Sequence, residues 1–316
     1  MCGVDFMPET KQDTPVRVGL LIVTISYFLF TLHALFTTQW IGEWNRITGT
    51  FNFYVFITDI AALPGLVLRF VASIIAVGAV IFYFSKPLPP ISKTYKILRL
   101  ILVFEAIYWL SLVVTTVVSI PGLFSHSVTF VLTSLAISVI PLIAESIVLP
   151  ISLLVLAWKL NPNKPVQNII KWSLISGSVF IFVFWLTNTS MWLVTLQVKG
   201  THYLTAYPGN LLSFILTAFG LLALAIYATI FAAQSTRVQS LQELKLRTAG
   251  AIILSLGMYF LWNYLTWVFF NYPWSDWYAW FLGHNLDLWL LSLPLLGLPL
   301  IFTKRRSKEP AENLTP

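Results

Sequence analysis

The residues of this chain that could do chemistry are ionisable or amide side chains inside long apolar stretches. In hydrocarbon such groups are costly, so they usually face the interior of a helical bundle or a wet cavity. One set forms a candidate ion or proton site: Glu105, Glu145, Asn188, Asn263, Arg69 and Asp287. The two glutamates fall near the middle of their stretches, and the other four fall nearer one side. Together they predict a polar path that opens to that side and descends to two carboxyl groups.

Glu145 has the most unusual surroundings, in the stretch VIPLIAESIVLPISLL. Pro141 and Pro150 bracket it, and each proline removes a backbone hydrogen bond and bends a helix. Pro141 and Glu145 are four residues apart, so they share one helix face. Freed carbonyls beside a carboxyl resemble the ion sites of discontinuous transporter helices. The alternative is a kinked packing helix whose glutamate is protonated and hydrogen-bonded.

All four histidines are predicted to lie on or near one side of the membrane, and they are His33, His126, His202 and His284. His33 and His284 have similar predicted depth in the first and last apolar stretches. Two axial histidines can hold a haem b between helices. Imidazole also suits copper or zinc, so the four histidines together are a second candidate metal site. The cofactor, if there is one, stays open between these two hypotheses.

The last apolar stretch opens with His284, Asn285 and Asp287. His284 and Asp287 are three apart and share a helix face, so the carboxylate can accept a hydrogen bond from the imidazole or pair with Arg69. The same residues could simply cap the helix N-terminus, where the helix dipole favours a carboxylate. Both interpretations place these side chains against other helices.

Several chemistries lack their residues. Cys2 is the only cysteine, which excludes internal disulfides and sites built from several thiolates of this chain. No lysine lies deep in an apolar stretch, so a retinal Schiff base has no attachment point. HExxH, GxSxG and P-loop motifs are absent from the sequence. With no catalytic motif, the chain is not expected to be an enzyme on its own.

Composition identifies the elements that position these residues. Hydrophobic residues make up 58% of the 316 and charged residues only 10%, against roughly 25% charged in a soluble domain. A membrane span needs about 20 mostly apolar residues. The stretches that qualify are residues 17–39, 63–86, 97–120, 128–158, 168–197, 210–234, 247–271 and 282–302. They are apolar all round, unlike barrel strands, and predict an all-α integral membrane bundle of about eight transmembrane helices.

The distribution of Lys and Arg predicts the orientation of this bundle. With the N-terminus in the cytoplasm, nearly all of the 19 basic residues lie on the cytoplasmic side, and only Arg46 and Lys199 fall in outer connections. Both termini are therefore predicted to be cytoplasmic. The net charge of +7 is explained by topology and attraction to anionic lipid, without nucleic acid.

The chain divides into three segments on this basis. Residues 1–16 form a cytoplasmic segment that we expect to be retained, residues 17–302 the transmembrane bundle, and residues 303–316 a basic cytoplasmic tail. We expect a multi-pass protein of the cell membrane whose immediate partner is the lipid bilayer. Aromatic residues surround one polar residue in several odd-numbered stretches, for example SYFLFTLHALF and VFEAIYWLSL.

Three functions follow from these features. The first is a transporter of a small solute or ion, with an outward-facing polar vestibule and the Glu105 and Glu145 carboxyls as proton or cation sites. The second is a membrane subunit of an electron-transfer, cytochrome b-like complex, with or without one haem between His33 and His284, that works with other membrane subunits or an extracytoplasmic redox partner. The third is a structural or assembly subunit in which the buried polar groups only satisfy one another.

Overall fold

The computed structural model describes residues 14–37, 53–85, 91–123, 140–160, 166–206, 209–234, 242–270 and 288–302. Within these ranges the regular structure is entirely helical, and no strand is present. This agrees with the all-α class predicted from apolar stretches that lack the alternation of barrel strands.

The first three helices are uninterrupted: α1 (Thr14–Thr37), α2 (Phe53–Ser85) and α3 (Ile91–Leu123). Helix α4 joins Ile140–Ile143, a π-helical turn Ala144–Val148 and Leu149–Lys159. Helix α5 is Val166–Lys199, followed by a short helical turn, Tyr203–Ala206.

Helix α6 joins Asn210–Ile215, a second π-helical turn Leu216–Gly220 and Leu221–Gln234. Helix α7 is Gln242–Phe270. Helix α8 joins Leu288–Leu291 and Leu293–Phe302.

Five helices in the described part of the chain are long and apolar enough to cross a membrane. These segments are Thr14–Leu35, Leu63–Phe82, Lys171–Gln197, Asn210–Gln234 and Arg247–Thr266. Each of them overlaps a predicted span. A shorter apolar helix, Trp289–Phe302, covers the described end of the predicted span 282–302.

The two remaining predicted spans have less support. The span 97–120 falls within α3, whose described side chains include three charges, Lys96, Arg99 and Glu105. The span 128–158 is described only from residue 140. The fold thus contains five candidate spans by length and composition, and a count of eight goes beyond it.

Helix α2 begins ten residues before the predicted span 63–86. Asp59 and Pro64 lower the apolar character of that region, so the apolar pattern alone begins later. The helical backbone nevertheless continues through Pro64, which stands inside the helix. As a result Arg69 lies at the midpoint of α2, whereas the later start had placed it towards one end.

The helices pack in a ring that follows the order of the chain. Each helix from α1 to α7 packs against the next one, and α8 packs against both α7 and α1. Hydrogen bonds and side-chain contacts described below therefore join neighbours around this ring. The arrangement brings the first and last described helices together.

Burial in this bundle is reversed relative to a soluble protein. Large apolar side chains lie on the outside, including Trp158, Met191 and Phe302, each at least two-thirds exposed. Several of the most buried side chains are small and hydroxylated, among them Thr31, Ser73 and Thr217. Membrane helices use small residues to approach closely and turn apolar ones towards lipid. The pattern is the one expected of helices surrounded by hydrocarbon.

Helices α7 and α8 approach each other through glycines. A Cβ atom added to Gly250 would lie 2.8 Å from the carbonyl oxygen of Gly297, and one added to Gly257 would lie 2.7 Å from Cγ of Pro294. Real Cβ atoms essentially never come that close to other heavy atoms. Glycine at these positions therefore sets the distance between the two backbones.

Candidate functional site

The centre of the candidate site is an ion pair between α2 and α3. Arg69 is only 7% exposed, and its Nε atom lies 3.3 Å from Oε2 of Glu105. A Cβ on Gly65 of α2 would meet Ser111 of α3, so residue numbers rise along one helix as they fall along the other. This antiparallel register brings the middle of α2 to the middle of α3.

Tyr27 of α1 bridges the two charges. Its hydroxyl donates a hydrogen bond to Oε1 of Glu105 and accepts one, at 3.2 Å, from Nε of Arg69. Both oxygens of Glu105 therefore face hydrogen-bond donors. A carboxylate accepts at both oxygens, whereas a protonated carboxyl needs an acceptor for its own proton. These contacts suit Glu105 as a carboxylate, with one hydrogen bond from Tyr27 and an ion pair with Arg69.

Aromatic rings surround the guanidinium group of Arg69. Its central carbon lies 4.2 Å from the ring centroid of Tyr108, 5.2 Å from that of Phe30 and 5.5 Å from that of Trp109. The ring of Tyr27 lies at 5.6 Å. Such distances are those of cation–π contacts, which gain strength when the cation is removed from water. The rings stabilise a charge at a position that is poor in water.

Glu145 stands in the π-helical turn Ala144–Val148 of α4, and this turn packs against α3. It is within electrostatic range of Arg69. Unlike Glu105, its carboxyl makes no hydrogen bond to any other described residue. We refer to Tyr27, Arg69, Glu105 and Glu145 as the charged site.

The sequence correctly predicted that α4 is irregular at Glu145, but the form of the irregularity differs from a broken helix. The amide of Leu149 donates to the carbonyl of Ala144, five residues back, so the backbone stays hydrogen-bonded through the turn. Pro150 follows at the start of the next α-helical segment, where its missing N–H is tolerated. Single π turns inside α-helices occur frequently at functional sites.

A second group of polar residues lies between α6 and α7. The hydroxyls of Thr217 and Tyr259 are 2.7 Å apart, and Nε1 of Trp262 donates to Oγ of Ser213 at 3.2 Å. Ser213 and Thr217 are both fully or almost fully buried. We refer to these four residues as the neutral network. Each polar group in it has a neutral partner.

The π-helical turn of α6, Leu216–Gly220, also has a specific partner. Nε1 of Trp185 on α5 donates to the carbonyl oxygen of Ala218 at 2.8 Å. An indole of α5 thus donates to a carbonyl oxygen within this turn. Helix α5 packs against this turn and against the π turn of α4, so the two irregular turns lie on either side of one helix.

Trp289 of α8 connects the two regions. Its ring makes an edge contact with the ring of Tyr27, with centroids 5.5 Å apart. It also packs against the apolar cluster that includes Leu221, Leu256 and Phe260. The aromatic side chain therefore touches the charged site on one side and the core of α6 and α7 on the other.

Of the predicted site residues outside α2 to α4, the two that the structure describes do not join the charged site. The side-chain amide of Asn188 donates to the carbonyl of Phe184 at 2.9 Å, and that of Asn263 donates to the carbonyl of Tyr259 at 3.0 Å. Both bonds stay within their own helices, α5 and α7. Asp287 lies outside the described residues, so its predicted pairing with Arg69 stays a prediction.

The histidines are only partly described. His33 lies half-buried on α1, and His202 is exposed in the short turn after α5. His126 and His284 lie outside the described residues. Within the described part of the chain, no group of three or more His, Cys, Asp or Glu side chains is placed to hold a metal ion. The haem and metal hypotheses both depend on residues beyond that part and stay predictions.

Three residues of the site were not singled out from the sequence: Tyr27, Tyr108 and Trp109. A signal was present, because Tyr108 and Trp109 follow Glu105 by one helical turn in VFEAIYW. Residues three and four apart share a face, so a buried glutamate predicts that these rings line the same side. Tyr27 had no comparable signal among its many aromatic neighbours.

Comparison of the chain with protein-family models, with curated proteins and with solved structures finds no match in any of the three.

Proposed function

We propose that this protein is a multi-pass protein of the cell membrane that moves a small solute or ion across the bilayer. In this proposal the bundle has eight spans and both termini face the cytoplasm. Five apolar helices of spanning length and the placement of Lys and Arg support it. In this proposal lipid surrounds the bundle, and the charged site lies at the depth of the hydrocarbon core of the bilayer.

The observation that carries the proposal is the pairing of Arg69 with Glu105 at the middle of two long apolar helices, with Glu145 in range. Ionisable groups at that depth are expensive and mark pathways for ions, protons or substrates. A scaffold does not need them, since replacing a buried ion pair by apolar residues is often neutral or stabilising. The π turn at Glu145 adds a second feature, because such turns occur frequently at functional sites.

The test is charge movement by the purified protein in liposomes adsorbed on a solid-supported membrane. Rapid jumps in concentration of amino acids, carboxylates, sugars and inorganic salts are applied, each with and without a pH step. We expect a transient current for at least one jump, and we expect Glu145→Gln to abolish it.

The matched control is Glu243→Gln, which makes the same chemical change at the start of α7, outside the predicted span. It should leave the current intact. Wild-type liposomes that give no current for any jump would contradict transport, and an unchanged current in Glu145→Gln would remove Glu145 from the mechanism.

One observation favours the electron-transfer subunit as a second candidate. Helices α1 and α8 pack side by side, and Tyr27 contacts Trp289, while a Cβ on Gly19 would meet the backbone of Leu295 and Leu296. The two helices are therefore antiparallel. His33 follows Tyr27 by six residues, and in the sequence His284 precedes Trp289 by five. The candidate therefore requires the chain before Leu288 to bring His284 to the end of the pair at which His33 lies.

This second candidate predicts a b-type haem held by His33 and His284, or an anchoring role beside other membrane subunits or an extracytoplasmic redox partner. A dithionite-reduced minus oxidised absorption spectrum of protein from haem-replete cells tests the haem form. A sharp α band that disappears in His33→Ala supports it, and a flat difference spectrum rejects it.

A further inference from the structure

The charged site contains two carboxyl groups and one cation. Glu105 is matched by Arg69 and by the hydroxyl of Tyr27, which together occupy both of its oxygens. Glu145 interacts with the same arginine electrostatically, without a hydrogen bond to it. If all three groups were ionised, the site would carry one uncompensated negative charge. An uncompensated charge in an apolar interior is strongly unfavourable, and a group in that position takes up a proton or a counter-ion.

We propose that Glu145 holds an exchangeable proton, whereas Glu105 is the permanent counter-ion of Arg69. Protonating Glu145 makes the site electrically neutral and disturbs no hydrogen bond between described residues. Protonating Glu105 instead would place an O–H group among two donors and weaken its pairing with Arg69. The two glutamates therefore have different roles, although both lie near the middle of their apolar stretches.

Among the residues that the structure describes, the groups around Glu145 do not offer another neutralising charge. On α3, which packs against the π turn, the ionisable residues in the middle of the helix are Glu105 and Tyr108. Arg69 is the contribution of α2. Helix α5 also packs against the turn, and between Lys171 and Lys199 its sequence has no ionisable side chain.

A proton fits this position better than a metal cation. Hard cations need several oxygen ligands; Ca²⁺ takes six to eight and Mg²⁺ about six. The described residues bring no second carboxylate into hydrogen-bonding contact with Glu145. A proton needs only one oxygen, which the carboxyl itself supplies. We therefore expect the site to respond to pH rather than to alkali or alkaline-earth ions.

The inference rests on the proposed function only in that transport would use the proton. Proton binding itself can be measured without transport. Infrared difference spectra of the purified protein in lipid nanodiscs are recorded across steps in pH, in H₂O and D₂O. A protonated carboxylic acid has a carbonyl stretching band that shifts in D₂O. We expect such a band in the wild-type protein and its loss in Glu145→Gln.

Two further variants keep the test decisive. Glu145→Asp retains a carboxyl group and should move the band in frequency, which guards against a folding failure in the glutamine variant. Glu243→Gln should leave the band unchanged. A band that persists unchanged in both Glu145 variants would overturn the assignment. So would a band that responds to a step in Na⁺ at constant pH and not to pH, since that result would assign the site to a metal cation.

The experiment separates this inference from the proposed function. If the infrared band belongs to Glu145 but no current is found in liposomes, the proton site stands and transport fails. If currents depend on Glu145 but the band does not, transport stands and the proton assignment fails.

Discussion

The two halves of the ring treat buried polar groups in different ways. In the half from α1 to α4, an arginine and a glutamate meet around Tyr27. A second glutamate lies in the π turn of α4, and its carboxyl has no hydrogen-bond partner among the described residues. In the half from α5 to α8, the hydroxyls and indoles of the neutral network pair with one another. In these neutral pairs each group satisfies the other, and the pairs hold neighbouring helices together. The charged site has room for one more positive charge, and in the proposed function this difference makes the half from α1 to α4 the functional one.

The largest loss of stability is expected when Arg69 is replaced. Replacing it with Met leaves Glu105 buried without its cation, and removal of one partner of a buried pair costs about 3 to 5 kcal/mol. The double variant Arg69→Met with Glu105→Met restores neutrality and should recover most of that loss. Thermal unfolding in detergent, followed by the tryptophan signal, measures both variants.

A double variant as unstable as the single one would contradict the interpretation of the site as an ion pair. It would indicate that the side chain of Arg69 acts mainly through packing against the surrounding rings.

Two tyrosines, one in each half of the ring, should show a smaller difference in stability between the halves. Tyr27→Phe removes a hydroxyl bonded to charged groups, and we expect a loss of about 1.5 to 3 kcal/mol. Tyr259→Phe removes a hydroxyl bonded to Thr217, and such bonds between membrane helices average about 0.6 kcal/mol. Both changes keep the aromatic ring. The shifts in the midpoint of thermal unfolding compare the two variants directly. Equal shifts would contradict the proposed difference between the two halves.

A third comparison concerns packing between α7 and α8. Gly257→Ala adds a methyl group where α7 meets Pro294, and overpacking of this kind costs at least about 1 kcal/mol. The control is Gly78→Ala on α2, where an added Cβ meets nothing within 4 Å. Neither change should alter the infrared band of the protein. A loss of stability in Gly78→Ala as large as in Gly257→Ala would show that close approach is not the cause.

The sequence predicted the kind of fold well and the ends of its helices less well. Apolar stretches are recognisable because a span must satisfy its backbone internally and face lipid. Their ends are less certain, as α2 shows, because Asp59 and Pro64 interrupt the apolar pattern but not the helix. That difference of ten residues changed the position of Arg69 within its helix.

The residues of the site could be selected from the sequence, but their partners could not. Glu105, Glu145 and Arg69 were recognisable because charges are rare in apolar stretches. Position along a stretch gives approximate depth, whereas the direction in which a side chain points depends on how helices pack. The sequence offered Asp287 as one possible partner of Arg69 and did not indicate Glu105, with which the structure pairs it. The π turn at Glu145 was inferred only as a kink, since prolines mark irregularity without specifying its form.

The closed order of the helices has a consequence for how this chain could be rebuilt. Because α1 packs antiparallel to α8, the beginning of α1 and the end of α8 lie at the same end of adjacent helices. A linker from the end of α8 to the beginning of α1 would join the ends of two neighbouring helices. New ends could then be opened between α4 and α5 without separating any pair of packed helices in the ring. The order of helices around the ring does not depend on the helix with which the chain begins. A circularly permuted chain should therefore form the same charged site.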